Sequence, residues 1–404
     1  MSKLLQRYVI AVRRLLTIVC LSLPLTACDP EPPLHLFDLG SIDIDMPMVK
    51  LDLETYWDYE TIYGHYDWTA EWFYGWDAND MELFGDIGYT EPKVFMLRRY
   101  YTGSEPLAPH NKVYATTFRG NSFHGQYNWG FWDVLVWNDV TPADGVQSLN
   151  FDEQSSLDSV VVYTNPSMNT ARYQAPRFTR SFYQPENLFA AYEQGIEINR
   201  DLRGFEYDAD RRIYVKRLNM VLQPVTYIYL TQVILRHNNG RVTAVDGNAN
   251  LSGMARSAVV NTGKAGCDAV TVYYYVNMKK NCPLVPFGTP ADDPRRLTAE
   301  RADIIGGRLV TFGMCQQTPC KICRACDVTD KNRHYMDVTM QFSNGTDSTF
   351  VFDVTRQVRE RWKGGVITVE LDMDTIPIPS RRGGSGFDAV VKEVEDGGTF
   401  VFDI

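Results

Sequence analysis

Apolar and polar residues alternate with a period of two along most of this chain, and that period predicts strands. Val49, Leu51 and Leu53 alternate with Lys50, Asp52 and Glu54. Met336, Val338, Met340 and Phe342 alternate with Asp337, Thr339 and Gln341. Asn344-Gly345 then predicts a tight turn, because both residues tolerate positive φ, and Phe350, Phe352 and Val354 predict the returning strand. Ile367, Val369, Leu371 and Met373 alternate again, and Asn239-Gly240 marks another turn after a β-rich run. Helical signals are sparse: residues 185–195 and 355–362 each read as one short helix. Short strands separated by turn signals read as β-sandwiches, an all-β class. The alternation fades between Tyr173 and Arg212, where Pro176, Pro185, Gly195 and Gly204 punctuate the chain. The expected order is a signal peptide over 1–27, a tether over 28–40, an N-terminal β-sandwich over 41–175, a linker over 176–211 and a C-terminal β-sandwich over 212–404.

The front end has a different pattern. Lys3, Arg7, Arg13 and Arg14 precede an apolar run that ends in Leu25-Thr26-Ala27-Cys28. A basic stretch, a short apolar stretch and a small residue at the cut site make a secretory signal. The run is shorter than the roughly 20 residues that cross a bilayer core. Leu-Thr-Ala-Cys resembles the lipobox of bacterial lipoproteins, which implies lipidation of Cys28 and cleavage before it. Each buried methylene contributes about 0.8 kcal/mol, so two or three acyl chains hold a protein on a membrane durably. The Asp29-Pro30-Glu31-Pro32-Pro33 segment that follows favours an extended spacer.

Charge narrows the partners. The signal holds four of the 40 Lys and Arg residues and none of the 50 Asp and Glu residues, so the net charge moves from −10 to −14 once it is removed. An acidic surface without a basic patch disfavours nucleic acid. The six histidines are scattered, and there is no His-Glu-x-x-His, no Gly-x-Ser-x-Gly and no phosphate loop, so the chain reads as no enzyme and calls for no cofactor.

Two features could carry recognition. The first half is dense in aromatics, and exposed aromatic faces stack on sugar rings. Trp68, Trp72 and Trp76 are therefore candidate glycan-stacking residues, although aromatics also fill and edge sheets. Beyond Cys28 the exported chain holds Cys267, Cys282, Cys315, Cys320, Cys323 and Cys326. Six is even and the compartment permits disulfides, so all six are disulfide candidates, with Cys267 and Cys282 read as a pair across a hairpin. The 315–326 spacing also looks like an iron–sulfur or zinc ligand run. A protein exported unfolded would have to load such a cluster outside, so bridges that stiffen a loop are the expected use.

Several motifs in order resemble one family. They are Pro224-Val225-Thr226-Tyr227-Ile228-Tyr229, Asn239-Gly240, Leu251-Ser252-Gly253-Met254-Ala255, Thr311-Phe312-Gly313 and Phe352-Asp353-Val354-Thr355-Arg356-Gln357-Val358. Following a lipobox, they resemble the fimbrillin-related anchor-like lipoproteins grouped with anchor and minor subunits of type V pili. The resemblance implies two tandem transthyretin-like β-sandwiches. It also implies an outer-membrane, surface-exposed lipoprotein that anchors or joins a fimbrium. Its partners would be fimbrial subunits bound by β-strand addition, and the membrane through its lipid. A glycan or host-surface ligand, taken by a glycan-binding lipoprotein or a tip adhesin, is the alternative.

Overall fold

The computed structural model describes residues 48–55, 67–74, 87, 89–106, 112–140, 148–153, 160–167, 181–210, 212–315, 333–379 and 388–391. Cys28, Trp76, Cys320, Cys323 and Cys326, the signal, the tether and the Gly383–Gly386 turn lie outside them.

The described chain is nearly all strand. The first half holds β1 (Met48–Thr55), β2 (Val94–Gly103), β3 (Lys112–Arg119), β4 (Ser122–Gln126), β5 (Gly130–Asn138) and β6 (Leu149–Glu153). It continues with β7 (Val160–Thr164), β8 (Ser181–Tyr183), β9 (Phe189–Ile198), β10 (Glu206–Asp208) and β11 (Ile213–Pro224). The second half begins with β12 (Tyr227–Arg236), β13 (Val242–Ala255), β14 (Ser257–Val259), β15 (Lys264–Ala265), β16 (Ala269–Tyr275) and β17 (Asn277–Pro283). Then come helix α1 (Arg295–Thr298), β18 (Arg301–Thr311), β19 (Tyr335–Phe342), β20 (Asp347–Asp353), helix α2 (Thr355–Glu360), β21 (Gly365–Asp372) and β22 (Asp388–Val391).

The first eight-stranded sheet runs β3-β2-β5-β9-β11-β1-β4, with β10 beside β11. It folds back on itself about β11. The long part of β11 pairs in parallel with β1, and only its last two residues, Gln223 and Pro224, pair with Ala190 and Phe189 of β9. The two limbs enclose one core: Val49, Leu51, Met220 and Leu222 from one side meet Leu97, Trp132, Val134 and Ala191 from the other. The short β3–β4 turn joins the limbs on the far side, where Phe118 and Phe123 rings lie 5.2 Å apart.

The second half is a sandwich of β17-β18-β12-β21 on β22-β20-β19-β13-β16-β8. Tyr229, Val233, Leu309 and Ile367 of the smaller sheet pack on Leu251, Val272, Val338 and Phe352 of the larger. The expected β19–β20 hairpin forms in register from Tyr335↔Asp353 to Gln341↔Asp347, with Gly345 at φ 76°. Asn239 and Gly240 both take positive φ between β12 and β13, as that turn requires. A fourth sheet, β15-β14-β7-β6, mixes strands from both halves. It rests on Tyr100, Leu135 and Trp137 and reaches Ala255 and Phe312, which welds the halves together.

Two expectations change. Residues 185–195 do not form a helix: β9 occupies 189–198, and its partner β5 decides the matter, since Trp137↔Ala190 through Gly130↔Ile198 pair along its length. The stretch 176–211, read as a linker, carries β8, β9 and β10 within the sheets. The expected helix at 355–362 is found as α2.

Candidate functional site

A sheet edge is a row of backbone donors and acceptors that wants a partner, and native proteins blunt such edges with charge, proline or a bulge. The edge strand β17 is blunted in this way: Lys279 and Lys280 lie along it, Pro283 ends it, and its register shifts between Lys279 and Cys282. The outer edge of β21 is covered by Gln357 of α2, which bonds the Thr368 N–H and carbonyl, and by Arg361 just beyond the helix, which donates to the Val366 carbonyl. Among the described residues, β9 and the middle of β11 have no strand between them beyond the Ala190–Gln223 pair.

That seam has local causes. β9 carries a bulge against β5, between the pairs Trp132↔Ile196 and Val134↔Glu193. Gly195 sits in it at φ 68°, which favours glycine, and its N–H donates to the buried Asp133 carboxylate at 2.8 Å. A bulge bends its strand, and here β9 parts from β11 on the far side of the Pro224 junction. At the other end Lys216 Nζ, rather than a backbone group, reaches across to the Glu197 carbonyl at 2.7 Å. Between these closures lies a groove of about 410 Å³. Ala191 and Met220 lie at its floor in the core, while Tyr192 and Val221 are 43% and 42% exposed at its rims. The β14–β15 turn at Val260–Gly263 overhangs one end. The groove therefore offers unpaired strand edges, an apolar floor and aromatic and aliphatic rims, which suits an extended peptide.

Trp68 and Trp72, the two of the three candidate tryptophans within the described residues, do not make a sugar platform. Trp68 and Trp72 are 6% and 0% exposed. The arm that carries them, residues 67–74, lies over the outer face of the smaller second-half sheet, against Ile228, Leu230, Ile304, Val310 and Val366. Gln232, buried in β12, fastens it: its Nε2 donates to the Glu71 carbonyl at 2.6 Å and its Oε1 accepts from Phe73 N–H at 3.0 Å. Phe287 N–H donates to the Thr69 carbonyl at 2.8 Å. Burying that apolar sheet face is what the aromatics do, and a ring with no exposed face stacks on no sugar.

The expected Cys267–Cys282 pair does not form, although Cys267 is disulfide-bonded. Cys282 is a buried thiol within the same core as Trp68 and Trp72, unbridged to Cys267, and Cys315 is a buried thiol at the end of the strand-like stretch after β18. Apolar packing, rather than a hairpin staple, accounts for Cys282.

Two titratable groups are buried. Asp337 of β19 accepts from Asn250 Nδ2 at 3.1 Å on both oxygens, and Asn250 Oδ1 accepts from Ser181 Oγ at 3.2 Å. Burial pushes the Asp337 carboxyl up to about 7, against the lowering effect of Asn250. His334 shares its Nδ1 with the Ser252 carbonyl at 3.2 Å, and burial pulls it down to about 4. Both sit among closely packed strands and serve the fold. At the surface, His237 bonds Asp372 at 3.0 Å beside Asp374, an ion-pair cluster at the ends of β12 and β21.

Sequence reading missed Tyr192, Val221 and the seam. The signal lay in Gln194-Gly195, a bulge pair once residues 189–198 are read as a strand.

No family model matches the chain, and no curated protein sequence matches it. Solved structures are similar to it. The fimbrial anchor protein Mfa2 of Porphyromonas gingivalis is 10% identical over 80% of this chain and 90% of its own, with a TM-score of 0.37. An adhesin candidate from Bacteroides ovatus is 12% identical over 82% and 94%, with a TM-score of 0.45. The tip fimbrial protein Mfa3 of Porphyromonas gingivalis, truncated at its C-terminus, is 6% identical over 76% and 81%, with a TM-score of 0.29.

Proposed function

We propose that this protein is a lipid-anchored outer-membrane subunit of a fimbrium, an anchor or accessory component that holds a neighbouring subunit by strand addition in the β9–β11 seam. One observation carries the reading: the seam is the place where two strand edges and an apolar floor meet without a strand between them. Main-chain hydrogen bonds to the incoming strand supply affinity, and alternate side chains entering toward Ala191 and Met220 supply selectivity. Lipidation at Cys28 would keep the assembly on the cell, as the lipobox-like front end supports. The glycan-binding alternative loses two of its three candidate rings, since Trp68 and Trp72 are core residues.

The test is co-isolation of fimbrial subunits from cells carrying Tyr192→Asp with Val221→Asp, two exposed rim positions whose change leaves the core untouched. The expected outcome is a folded, membrane-bound protein that no longer brings fimbrial subunits down. Undiminished co-isolation would sink the seam as the docking place. Cys28→Ser in parallel should move the protein out of the membrane fraction, and firm retention there would refute the lipid anchor.

A further inference from the structure

The chain holds two Asn-Gly steps, Asn239-Gly240 and Asn344-Gly345, and both sit in turns. In such a step the glycine nitrogen is one ring closure away from the asparagine carboxamide carbon. Glycine also has no side chain to crowd the approach. Whether the two groups meet depends on what else holds them, and the structure treats the two steps differently.

At Asn344 the reacting groups are engaged. Gly345 N–H donates to the Phe342 carbonyl at 2.8 Å. Asn344 Nδ2 donates to the Pro379 carbonyl at 2.5 Å, and its Oδ1 accepts from Thr346 N–H at 3.1 Å and from Thr346 Oγ1 at 2.6 Å. At Asn239 they are not. Among the described residues neither the Asn239 carboxamide nor Gly240 N–H makes a hydrogen bond. Both residues are exposed, and the space where a Cβ on Gly240 would stand is open. The turn is pinned from its flanks instead. Arg241 N–H donates to the Asn238 carbonyl at 2.8 Å. Buried Asn238 donates from Nδ2 to the Val242 carbonyl at 2.8 Å and to Asp303 Oδ2 at 2.7 Å, and its Oδ1 accepts from Val242 N–H at 2.7 Å. Asn239 and Gly240 are the tip of a turn that is held by the residues beside them.

We propose that Asn239 is a site of spontaneous deamidation, which converts the neutral tip of this turn into an anionic one, and that its hydrogen bonds shield Asn344 from the same reaction. The step needs only water and a solvent base. Gly240 N gives up its proton and attacks Asn239 Cγ. The new C–N bond closes a five-membered succinimide ring while the Cγ–Nδ2 bond breaks, and Nδ2 leaves as ammonia with a proton from water. Water then opens the ring at either carbonyl. Opening at the side-chain carbonyl gives an ordinary aspartate; opening at the main-chain carbonyl gives isoaspartate, in which the main chain runs through Cγ. No hydrogen bond has to break before Gly240 N can swing toward Cγ. The product carries a new carboxylate two residues from His237, which already bonds Asp372 beside Asp374. This inference does not rest on the docking of a subunit in the seam.

The experiment holds the purified protein at mildly alkaline pH and physiological temperature, once folded and once in urea, and digests samples at intervals. Peptide mass spectrometry follows the amide-to-acid change at both asparagines, and chromatography separates isoaspartate from aspartate. In the folded protein Asn239 should convert to both products at least about tenfold faster than Asn344, whose bonds must open first. In urea both steps are bare Asn-Gly, and the two rates should be similar. Equal rates in the folded protein, or a faster Asn344, would overturn the proposal. So would an Asn239 that stays intact in the folded protein while both residues react in urea.

Discussion

Replacing Asp337 by asparagine should expose a pH dependence that the wild-type protein hides. The Asp337 carboxyl moves from an ordinary value of 3.8 to about 7 because it is buried beside Asn250. Between those two pH values the unfolded chain has lost the proton and the folded chain still holds it. Stability from this group is therefore full below about pH 3.8 and is lost as pH rises toward 7. About three pH units at about 1.36 kcal/mol each give a fall of about 4 kcal/mol. His334 acts in the opposite sense. Its ring moves from 6.5 to about 4, so its contribution is full above pH 6.5 and is lost as pH falls toward 4, by about 3 kcal/mol. The two windows overlap and nearly cancel, which leaves the wild type a net fall of about 1 kcal/mol between pH 4 and 7. Asp337→Asn removes the falling component, so the variant's own stability should rise by about 3 kcal/mol as pH rises through this range, a gain of about 4 kcal/mol over wild type's trend. His334→Gln should do the reverse and steepen the fall. Urea unfolding at half-unit pH intervals, read as the difference from wild type at each pH, cancels the carboxylates that all three proteins share. Parallel profiles for wild type and Asp337→Asn would refute the assignment of a buried protonated acid to β19.

Two further outcomes test the packing. Trp72→Ala removes a fully buried indole between the arm and the second-half sheet, so it should cost about 3–5 kcal/mol and lower the melting temperature, as thermal unfolding will report. A melting temperature within a degree of wild type would show that the arm is not part of the core. Gly253→Ala should be destabilising by about 1–3 kcal/mol, because Gly253 has φ 80° and an added Cβ would lie 2.6 Å from the Arg333 carbonyl oxygen; a neutral substitution in urea unfolding would contradict that crowding.

Some of this structure is legible in the sequence and some is not. Alternation finds β1, β19, β20 and β21, because one face of each strand is buried and the other is more polar; Asn239-Gly240 finds its turn through positive φ at both residues, and Asn344-Gly345 through positive φ at Gly345 alone and the Asn344 side chain, which accepts from Thr346. These are local causes. Residues 185–195 mislead because Leu, Ala, Glu and Gln suit a helix, while the strand they form is dictated by pairing with β5, more than fifty residues earlier in the chain. The arm misleads for the same reason on a larger scale. Trp68 and Trp72 look like a surface cluster until Gln232, about 160 residues away, is known to clasp the backbone on either side of Trp72, at Glu71 and Phe73. The seam is invisible to periodicity, since it depends on two strands failing to meet. The outward Gln357 has no sequence mark at all: a glutamine on a short helix looks the same whether it faces water or an edge strand.

The parallel pairing of β1 with β11 bears on how the molecule withstands tension. β1 is the first described strand and is gripped on both sides, along Met48–Thr55 by β11 and along Met48–Asp52 by β4. A pull directed along β1 from its leading end strains those ladders in shear, so that many bonds must give at once instead of opening one after another like a zip. A strand clamped in this way is a mechanical grip near the front of the chain, and single-molecule extension from that end should meet its main resistance there.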